Sequence, residues 1–488
     1  MSAPRIVIAG AGISGLATAY RLTRALPGAE ITVCEASDRL GGCLKTSTLG
    51  GQAPGGADVG AEASLFVRPE TTELCAELGL DLEFPSREHS SQLFVRDVMH
   101  PMPTDTLMGV PSDPASLAGI LTAPEVDRAR AETLTEPVDG DVPVGEFIAS
   151  RLGDAVADVI VDPLLGGVYA GRCRELSMAA TIPALLPAAH TGTSVLEAVS
   201  AVRAQRSAAS GANIPGTKSH DAPPVFMTLP GGIGTLITAL ADDLRARGVR
   251  IEVGTPVTAL RPGQPGSAEP AWTVRAGEEH LPAEAVVLAV PAYAAASILA
   301  DVDAEIAGIL GDIDYADSAV VTAVLDTGDA PLSGSGFLIP PTEGRFIKAS
   351  TFASNKWPWL NDALPAGTAV VRMSVGRYGD DPRAWAALDD EELAARALAD
   401  WRDITGSQAE CRHLEVQRWT QSLPQYRPGH LDRSTAIDTA LTRHLGLGLT
   451  GAAYDGVGIP VCLKRAAAEA HRIAAGLSAA ARTAAART

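Results

Sequence analysis

The stretch RIVIAGAGISGLATAYRLTRALPGAEITVCE, residues 5–35, decides the fold of this chain. Residues 5–10 (RIVIAG) predict a buried strand, and apolar residues such as Leu16 and Leu22 follow near helical spacing. Residues 30–35 (EITVCE) predict a second strand. A strand, a crossover helix and a second strand are typical of a parallel sheet, so we expect an α/β layered domain.

The turn between the first strand and the helix is GAGISG, residues 10–15, which fits G-x-G-x-x-G. Glycine triplets occur in many turns, but this one follows a strand and opens a helix, and Glu35 ends the second strand. Gly10 would allow the tight turn, Gly12 would let a pyrophosphate approach the backbone, and Gly15 would let the helix pack closely on the strand. The helix N-terminus favours an anion. Glu35 would bind the ribose hydroxyls and disfavour a 2′-phosphate, so we predict a dinucleotide site other than one for NADP.

The composition sets limits on the function. The 488 residues are 46 % hydrophobic and 20 % charged, which is ordinary for a globular protein and predicts about three domains. No apolar run reaches the roughly 18 residues of a membrane-spanning helix, and we expect no cleavable leader because a strand-like run begins at Arg5. The net charge of −19, from 39 basic and 58 acidic residues, argues against nucleic-acid binding. The six cysteines show no C-x-x-C or zinc spacing, so we expect a reduced cytoplasmic protein without a metal site.

The α/β pattern recurs in separate parts of the chain. After the N-terminal unit, residues 86–206 are rich in predicted helix, including 144–161, and residues 207–224 predict a mobile loop. A turn, helix and strand pattern returns over 229–260, and a glycine-rich end leads into an Ala-rich helix from about Pro460. We therefore predict one α/β domain that is interrupted by two insertions.

A second glycine pair favours FAD over a nicotinamide dinucleotide. Residues 39–42 (RLGG) and Thr46 resemble the R-x-G-G-x-x-x-T extension of FAD proteins of the glutathione-reductase type, notably the amine oxidase and protoporphyrinogen oxidase branch. The pair would let backbone approach the extended FAD, and Arg39 would bind its phosphate or ribitol oxygens, with a solvated surface arginine as the alternative. The resemblance also implies that residues 58–62 (DVGAE) pass the isoalloxazine ring and that residues 255–257 (TPV) hold the adenine.

The C-terminal glycine-rich segment completes the predicted FAD site. Residues 451–460 (GAAYDGVGIP) precede a helix whose N-terminus would stabilise the reduced flavin, with an ordinary helix-capping loop as the alternative. We expect non-covalent FAD, because the region from Tyr454 to Cys462 offers one attachment residue, and Cys462 lies two residues into the helix. The predicted FAD contacts are Gly10, Ala11, Gly12, Ile13, Ser14, Gly15, Glu35, Ala36, Arg39, Gly41, Gly42, Gly60, Ala61, Glu62, Val257, Trp419, Gly451, Val457, Gly458 and Ile459.

These parts together predict an α/β fold. It consists of a Rossmann-type FAD-binding domain of the glutathione-reductase or amine-oxidase type, interrupted by a helical insertion and by a β-rich α+β substrate domain. Apolar runs at 319–325 and 369–375 predict strands of the substrate domain. The predicted boundaries are 1–85, 225–298 and 421–488 for the FAD-binding domain, 86–224 for the mainly helical insertion, and 299–420 for the substrate domain.

The central segment narrows the resemblance to one family. Residues 162–171 (DPLLGGVYAG), followed by 175–177 (ELS), resemble the P-x-x-x-G-V-[YF]-A-G…L-S signature of the protoporphyrinogen/coproporphyrinogen oxidases. Amine oxidases share the FAD motifs but usually lack this segment. Further matches follow in the same order, so the resemblance covers essentially the whole chain. They are 229–234 (LPGGIG), 334–340 (GSGFLIP), 356–358 (KWP), 424–426 (PQY) and 451–462.

The resemblance implies an oxygen-dependent porphyrinogen oxidase of haem biosynthesis. Such an enzyme would oxidise coproporphyrinogen III to coproporphyrin III by six electrons, with O2 as acceptor and H2O2 as product. Protoporphyrinogen IX is the alternative substrate. The rival classes are a non-catalytic FAD protein and a flavin amine oxidase, in which Lys348 or Lys356 would hold a water above the flavin. Hydride would pass from a meso carbon to flavin N5, so we expect no catalytic side chain.

The porphyrinogen disc requires a shaped pocket with few polar groups. We predict that the residues lining it are Gly167, Tyr169, Ser335, Leu338 and Lys348. A turn glycine and a core tyrosine are the alternatives for Gly167 and Tyr169. Many eukaryotic members carry an arginine at the position assigned here to Gln92, which leaves Arg96 and Lys348 as candidates to bind the propionates.

The expected partners are a porphyrinogen and O2, with transient contacts to other haem-pathway enzymes. The basic residues from Lys464 onward would complement the dipole of the last helix, and contact with an anionic membrane is the alternative. Membrane-attached relatives also suggest peripheral membrane association through the helical insertion. We therefore expect a cytoplasmic protein, with peripheral membrane contact as a further option.

Overall fold

The unit of residues 5–35 forms the middle of the first sheet, as the sequence predicts. The computed structural model describes residues 3–209, 224–264 and 270–485. Its strands are β1 (Arg5–Ala9), β2 (Glu30–Cys34), β3 (Thr46–Ser47), β4 (Ala57–Asp58), β5 (Ser64–Leu65), β6 (Ser91–Val95), β7 (Val98–Pro101), β8 (Thr106–Leu107), β9 (Val110–Pro111), β10 (Phe226–Met227), β11 (Arg250–Glu252), β12 (Val257–Pro262), β13 (Trp272–Ala276), β14 (Glu279–Ala283), β15 (Ala285–Leu288), β16 (Tyr315–Asp326), β17 (Gly336–Leu338), β18 (Ala349–Phe352), β19 (Thr368–Val375), β20 (Glu410–Pro424) and β21 (Leu447–Leu449). Its α-helices are α1 (Ile13–Ala25), α2 (Pro69–Glu77), α3 (Ala123–Arg130), α4 (Val144–Leu152), α5 (Asp162–Tyr169), α6 (Met178–Thr181), α7 (Leu186–Thr191), α8 (Val195–Ala209), α9 (Thr235–Ala246), α10 (Ala292–Leu299), α11 (Ala304–Gly311), α12 (Ala353–Lys356), α13 (Pro358–Ala363), α14 (Pro382–Trp385), α15 (Asp390–Thr405), α16 (His430–Leu441) and α17 (Ile459–Ala485).

The first sheet is parallel, with the strand order β11-β2-β1-β15-β21. Ile8 of β1 lies opposite Val33 of β2 and Val287 of β15, and all three side chains are fully buried. Helices α1, α9 and α17 share one hydrophobic core, in which Leu16 and Leu240 are also fully buried. The strands come from both ends and from the middle of the chain. This arrangement confirms a Rossmann-type domain that is interrupted by other structure.

The second sheet has seven strands in the order β20-β16-β19-β18-β17-β6-β7. Val321 of β16 packs in a core with Trp401 of α15, so α15 covers one face of the sheet. Thr322 alternates with Val321 and therefore points to the opposite face, as does Glu415, its partner on β20. Glu415 accepts a hydrogen bond from the hydroxyl of Ser47 at 2.6 Å, so this second face is turned toward the first domain.

The helical insertion packs against the far end of the second sheet. Phe147, Ile160 and Leu165 share a core with Leu93 of β6. Because β6 pairs with β17 and β7 pairs with β6, the segment predicted as mainly helical also supplies two strands to the second sheet. The exact domain boundaries stay a prediction.

The helical stretch predicted over 144–161 is interrupted at Gly153. α4 ends at Leu152 because Gly153 has a φ of +96°, in the left-handed region that favours glycine. A π-helical turn at Val156–Val161 then leads into α5.

The loop predicted at 207–224 is helical at its start, because α8 extends to Ala209. Residues 210–223 lie outside the described residues. Over the described part of the chain, no helix combines the length and the apolar character needed to cross a membrane.

Candidate flavin and substrate site

The three glycines of the first turn have different surroundings. Gly10 has a φ of +98°, and a Cβ added there would lie 2.5 Å from the carbonyl oxygen of Ala289. A Cβ at Gly15 would lie 1.9 Å from the carbonyl oxygen of Gly10. At Gly12 the nearest atom to such a Cβ is the Cα of Gly42, at 3.9 Å. Packing therefore requires Gly10 and Gly15, whereas Gly12 leaves room for a pyrophosphate at the N-terminus of α1.

The second glycine pair lies beside the first turn. The N–H of Gly41 donates to the carbonyl oxygen of Ala11 at 2.9 Å. Gly42 has a φ of +58°, and a Cβ there would lie 3.4 Å from the Cα of Gly12. The two turns form one cradle of bare backbone that side chains would fill, which fits the pyrophosphate of FAD.

Glu35 connects the end of β2 to the glycine turn. Its Oε2 accepts from the N–H of Ala11 at 2.8 Å. Its Oε1 accepts from the N–H of Ser37 at 2.9 Å and from the Ser37 hydroxyl at 2.8 Å. The carboxylate is therefore held where a ribose is expected in a dinucleotide site.

The adenine end of the predicted site lies next to Glu35. The N–H of Thr255 donates to the backbone carbonyl of Glu35 at 2.7 Å. Val257 follows as a half-buried residue at the start of β12, and Ala36 is exposed. The structure thus brings the two segments together, and their contact with adenine stays a prediction.

Arg39 and Trp419 meet beside the second glycine pair. Arg39 donates from Nη2 to the carbonyl oxygen of Gly42 at 2.6 Å, and its guanidinium lies 5.7 Å from the centre of the Trp419 ring. Trp419 donates from Nε1 to the carbonyl oxygen of Val59 at 3.2 Å. A Cβ at Gly60 would lie 2.8 Å from the Trp419 ring, so this position requires glycine. Arg39 is half-buried rather than fully solvated, and its contact with FAD stays a prediction.

Glu62 lies between two cations of the second sheet region. Its carboxylate pairs with the ammonium of Lys356 and with the guanidinium of Arg372, and the three side chains expose 16 %, 20 % and 10 % of their surface. Burial disfavours the carboxylate, but the two cations outweigh burial and lower the pKa of Glu62 to about 2. Arg372 also donates to the carbonyl oxygen of Gly60. The turn Gly60-Ala61-Glu62 is therefore fixed from both ends.

The contacts of Asp58 show why the segment LPGGIG, residues 229–234, requires a glycine at Gly232. Its carboxylate accepts from the N–H of Ile233 at 2.9 Å and from the hydroxyl of Thr46 at 3.0 Å. A Cβ at Gly232 would lie 2.6 Å from an Asp58 oxygen. Burial raises the pKa of Asp58 to about 6, although both hydrogen bonds favour its charged form. This contact packs the middle part of the first domain onto its N-terminal part.

The start of α17 lies near the start of α1. Ile459, the first residue of α17, and Ile13, the first of α1, belong to the same hydrophobic core. Ser14 is also buried, and Gly451 has a φ of +138° in the loop that precedes α17. Val457 packs against the core of the insertion, and Gly458 directly precedes the helix. Two helix N-termini therefore approach the predicted FAD site, as the glycine motifs imply.

Gly167 and Leu338 face each other between the insertion and the second sheet. Gly167 is exposed, and a Cβ there would meet only the Leu338 side chain, at 3.7 Å. Gly167 lies inside α5 and its φ is outside the left-handed region, so it is not a turn glycine. Leu338 pairs with Ala349, which pairs with Ser374. Leu338 and two small residues, Ala349 and Ser374, thus form a strip of the sheet whose Leu338 end contacts the helix at Gly167.

Tyr169 lies in the core of the insertion. Its ring is 5.6 Å from the ring of Tyr426 and is 9 % exposed. Burial raises the pKa of Tyr169 to about 12. This position matches the alternative of a core tyrosine, and a contact with substrate stays a prediction.

The hydroxyl of Ser335 is 3.3 Å from the hydroxyl of Ser91. Leu338 pairs with Leu93, so Ser91 and Leu93 share the face of Leu338, while Gln92 points to the other face. An arginine at Gln92 would therefore not point toward Leu338. Arg96 pairs with Glu125 at 2.7 Å. The position of Gln92 therefore brings no positive charge to this strip, and the charge of Arg96 is already paired.

Lys348 directly precedes Ala349 and is 8 % exposed. Its ammonium donates to the carbonyl oxygen of Gly376 at 2.6 Å. Sequence reasoning missed Arg172 and Arg377, which lie near Lys348, and also Arg372, which pairs with Glu62. Arg372 had a visible signal, because it is the one charged residue of the apolar run AVVRMSV (369–375). Arg172 directly follows the segment DPLLGGVYAG (162–171), and Arg377 lies in a loop without a motif.

Comparisons with known proteins agree with this site. The family of flavin-containing amine oxidoreductases matches residues 13–474. Coproporphyrinogen III oxidase of Mycobacterium tuberculosis (strain ATCC 25618 / H37Rv) is 35 % identical over 463 residues, which cover 93 % of this chain and 94 % of that protein. Human protoporphyrinogen oxidase is 31 % identical over 479 residues, with 94 % of this chain and 96 % of that protein covered.

A solved structure from Exiguobacterium sp. 255-15 superimposes over the whole fold. Its TM-score is 0.81 at 28 % identity, and the match covers 97 % of this chain and 99 % of that one. The chain is therefore an FAD-dependent oxidoreductase of the flavin-containing amine oxidoreductase family, and within it belongs to the protoporphyrinogen/coproporphyrinogen III oxidases.

Proposed function

We propose that this chain oxidises coproporphyrinogen III to coproporphyrin III and passes the electrons to O2. Each porphyrinogen loses six electrons and six hydrogens, which reduce three O2 to three H2O2. Bound FAD would supply the redox chemistry by accepting hydride at N5. The observation that carries the proposal is exposed Gly167 of α5 beside the strip of Leu338, Ala349 and Ser374, and we call this proposed substrate position the slot.

The protein's own part in this reaction is to position the substrate. The small side chains of Ala349 and Ser374 provide a flat surface on which a disc can lie, and exposed Gly167 adds no side chain opposite. Arg372 lies two residues before Ser374 on β19 and holds the turn at Glu62. The slot therefore lies next to the turn that we assign to the isoalloxazine, which would bring a meso carbon close to the flavin.

The contacts of Lys356 argue against an amine oxidase. That chemistry would use a lysine that holds a water above the flavin, but Glu62 neutralises the ammonium of Lys356. The ammonium also lies 5.0 Å from the ring of Trp357. Protoporphyrinogen IX stays the second candidate substrate, because the human relative is named for it and because the slot would accept either disc.

Steady-state oxidation of both porphyrinogens, side by side, tests the proposal. We expect the FAD-loaded protein to turn over coproporphyrinogen III with the higher kcat/KM and to release three H2O2 per porphyrin. A higher kcat/KM for protoporphyrinogen IX would reverse the substrate assignment. Turnover of neither porphyrinogen would refute the proposed function.

We infer a cytoplasmic location, with O2 as acceptor and brief contacts to other enzymes of the same pathway. Two C-terminal arginines support a structural role for the basic end of α17. Arg465 pairs with Asp438 at 2.6 Å, and Arg472 pairs with Glu469 at 2.8 Å. Peripheral membrane contact is the competing proposal. Co-sedimentation with anionic vesicles at physiological salt would support it, and recovery in the supernatant would refute it.

A further inference from the structure

Three cations gather where the insertion meets the second sheet. We call Lys348, Arg377, Arg172 and Asp380 the junction cluster. Arg172 follows α5, Lys348 precedes β18, and the other two lie in the loop after β19. The N–H of Tyr378 in this loop donates to the carbonyl oxygen of Ala170 at 2.6 Å, which fixes the loop to the end of α5.

The single carboxylate of the cluster is already engaged. Asp380 pairs with Arg172 at 2.6 Å and accepts from the backbone N–H of Arg377 at 2.8 Å. Among the described residues, neither Lys348 nor the Arg377 side chain forms an ion pair. Lys348 donates to the carbonyl oxygen of Gly376, and Arg377 donates from Nη2 to the carbonyl oxygen of Ile339 at 2.8 Å.

The cluster therefore holds three basic side chains against one carboxylate, with Lys348 buried and Arg377 half-buried. Burial and the neighbouring arginines lower the pKa of Lys348 to about 7, while Asp380 opposes this shift. Burial lowers the pKa of Arg377 to about 10. Nearby Asp162 is buried and accepts a hydrogen bond from the backbone N–H of Cys173 at 2.6 Å, and burial raises its pKa. Unpaired buried charge is costly, and an anionic ligand would remove much of that cost.

The cluster borders the substrate slot. Ile339, which accepts the Arg377 hydrogen bond, directly follows Leu338. Lys348 directly precedes Ala349, the partner of Leu338. The backbone around both cations thus adjoins one end of the strip on which we place the porphyrinogen disc.

We propose that Lys348 and Arg377 bind carboxylates at the edge of the substrate and so select a tetracarboxylate over a dicarboxylate macrocycle. This inference rests on the proposed function. Coproporphyrinogen III carries a propionate on every ring, whereas protoporphyrinogen IX carries vinyl groups on two rings. A vinyl group cannot neutralise these cations, so the dicarboxylate would leave buried charge unpaired when its vinyl edge lies there.

The variants Lys348→Met and Arg377→Met test the inference in the FAD-loaded protein. Each should raise the KM for coproporphyrinogen III by about 10-fold or more, the loss expected for a charged hydrogen bond. The kcat should change less than about 2-fold, and the KM for protoporphyrinogen IX less than about 3-fold, by the same reasoning. Arg377→Lys keeps the charge and should retain most of the affinity. The matched control is Arg418→Met, because Arg418 pairs with Asp390 on the face covered by α15.

Product binding gives a second readout that does not depend on turnover. Fluorescence titration should show tighter binding of coproporphyrin III than of its tetramethyl ester to the wild type. In the double variant this preference should vanish, and the melting temperature should be no lower, since unpaired buried cations are removed. Equal rises in the KM for both porphyrinogens would overturn the inference. So would variants that still prefer coproporphyrin III over its tetramethyl ester as strongly as the wild type does. If the wild type oxidised neither porphyrinogen, the proposed function would fail, and the titration would still decide the carboxylate site.

Discussion

At Gly167, helical backbone rather than a side chain faces the proposed substrate slot. Gly167 is exposed inside α5, and only Leu338 lies near its missing Cβ. Gly308 offers a comparison, because it is also an exposed glycine inside a short helix, with no atom near a built Cβ. The two positions differ in their surroundings and not in their backbone.

Gly167→Val should abolish porphyrinogen turnover while the protein stays folded and yellow. The added methyls would occupy the plane assigned to the disc, but no backbone strain arises because Gly167 has no positive φ. Helix propensities of glycine and valine differ by only about 0.5 kcal/mol, so the melting temperature should barely change. The control Gly308→Val should be fully active. Normal turnover by a stable Gly167→Val protein would show that Gly167 does not line the substrate site.

Glu35→Ala should weaken FAD binding by about 10- to 100-fold, because it removes charge-assisted hydrogen bonds to the ribose. FAD titration of the apoprotein measures this change. The control Glu30→Ala removes an exposed carboxylate from the start of the same strand and should leave the affinity unaltered. An unchanged dissociation constant for FAD in Glu35→Ala would show that the carboxylate binds only the backbone of Ala11 and Ser37 and does not contribute to FAD binding.

Sequence patterns reveal local roles better than distant partners. Gly10 and Gly15 could be assigned from spacing alone, because the strand, turn and helix are consecutive. The partner of Glu62 could not, since Arg372 lies 310 positions away in the chain. The junction between Arg377 and the insertion was missed for the same reason, because it depends on how two insertions fold onto each other.

The contact of Glu62 with Lys356 and Arg372 joins two structural elements. It ties the turn after β4 to α12 and β19, and so fixes the second sheet against the first domain. The pKa of Glu62 falls from 4.5 to about 2. A carboxylate whose pKa is lowered on folding stabilises the protein above its unfolded pKa, and that contribution is lost as the pH falls through the folded value.

Glu62→Gln should lower the free energy of unfolding near pH 7 by about 3–5 kcal/mol, since it leaves two buried cations without a counter-ion. Urea unfolding measures this loss. The difference from the wild type should shrink as the pH falls from 4.5 toward 2, where the native carboxylate takes up its proton. Glu305→Gln breaks an exposed pair with Arg443 and should cost less than about 1 kcal/mol. Equal losses in both variants would contradict the assigned role.

Regular elements were easier to predict than their breaks and pairings. The apolar run at 369–375 matches β19, because a strand buried on both faces has a continuous apolar sequence. The break at Gly153 was missed, since a single glycine inside an amphipathic pattern carries a weak signal. The pairing of β6 with β17 was missed because strand partners distant in sequence leave no periodic trace.

The molecule is built around a parallel sheet assembled from three distant segments, with a seven-stranded sheet and a helical insertion between them. Recurrent glycine motifs made this interruption predictable, because each motif marks a return of the chain to the predicted FAD site. The boundaries between the parts are harder to predict. β6 lies within the segment assigned to the insertion, and β20 extends to Pro424, beyond the predicted end of the substrate domain.

Acid precipitation should release all the FAD into the supernatant. Cys462 is 4 % exposed and donates to the carbonyl oxygen of Gly456 at 3.6 Å. Burial raises the pKa of this thiol to about 12, which disfavours the thiolate needed for attachment to a flavin. Flavin absorbance measured in both fractions checks this, and a yellow pellet would show covalent attachment.

Anaerobic mixing of the FAD-loaded protein with coproporphyrinogen III in a stopped-flow spectrometer tests whether the substrate reduces the flavin. We expect flavin absorbance near 450 nm to bleach in a single turnover and to return when O2 is admitted, as expected for hydride transfer to a flavin cofactor. Gly167→Val should keep the oxidised flavin spectrum and fail to bleach, whereas Gly308→Val should bleach like the wild type. A wild-type flavin that stays oxidised in the presence of coproporphyrinogen III and of protoporphyrinogen IX would contradict the account.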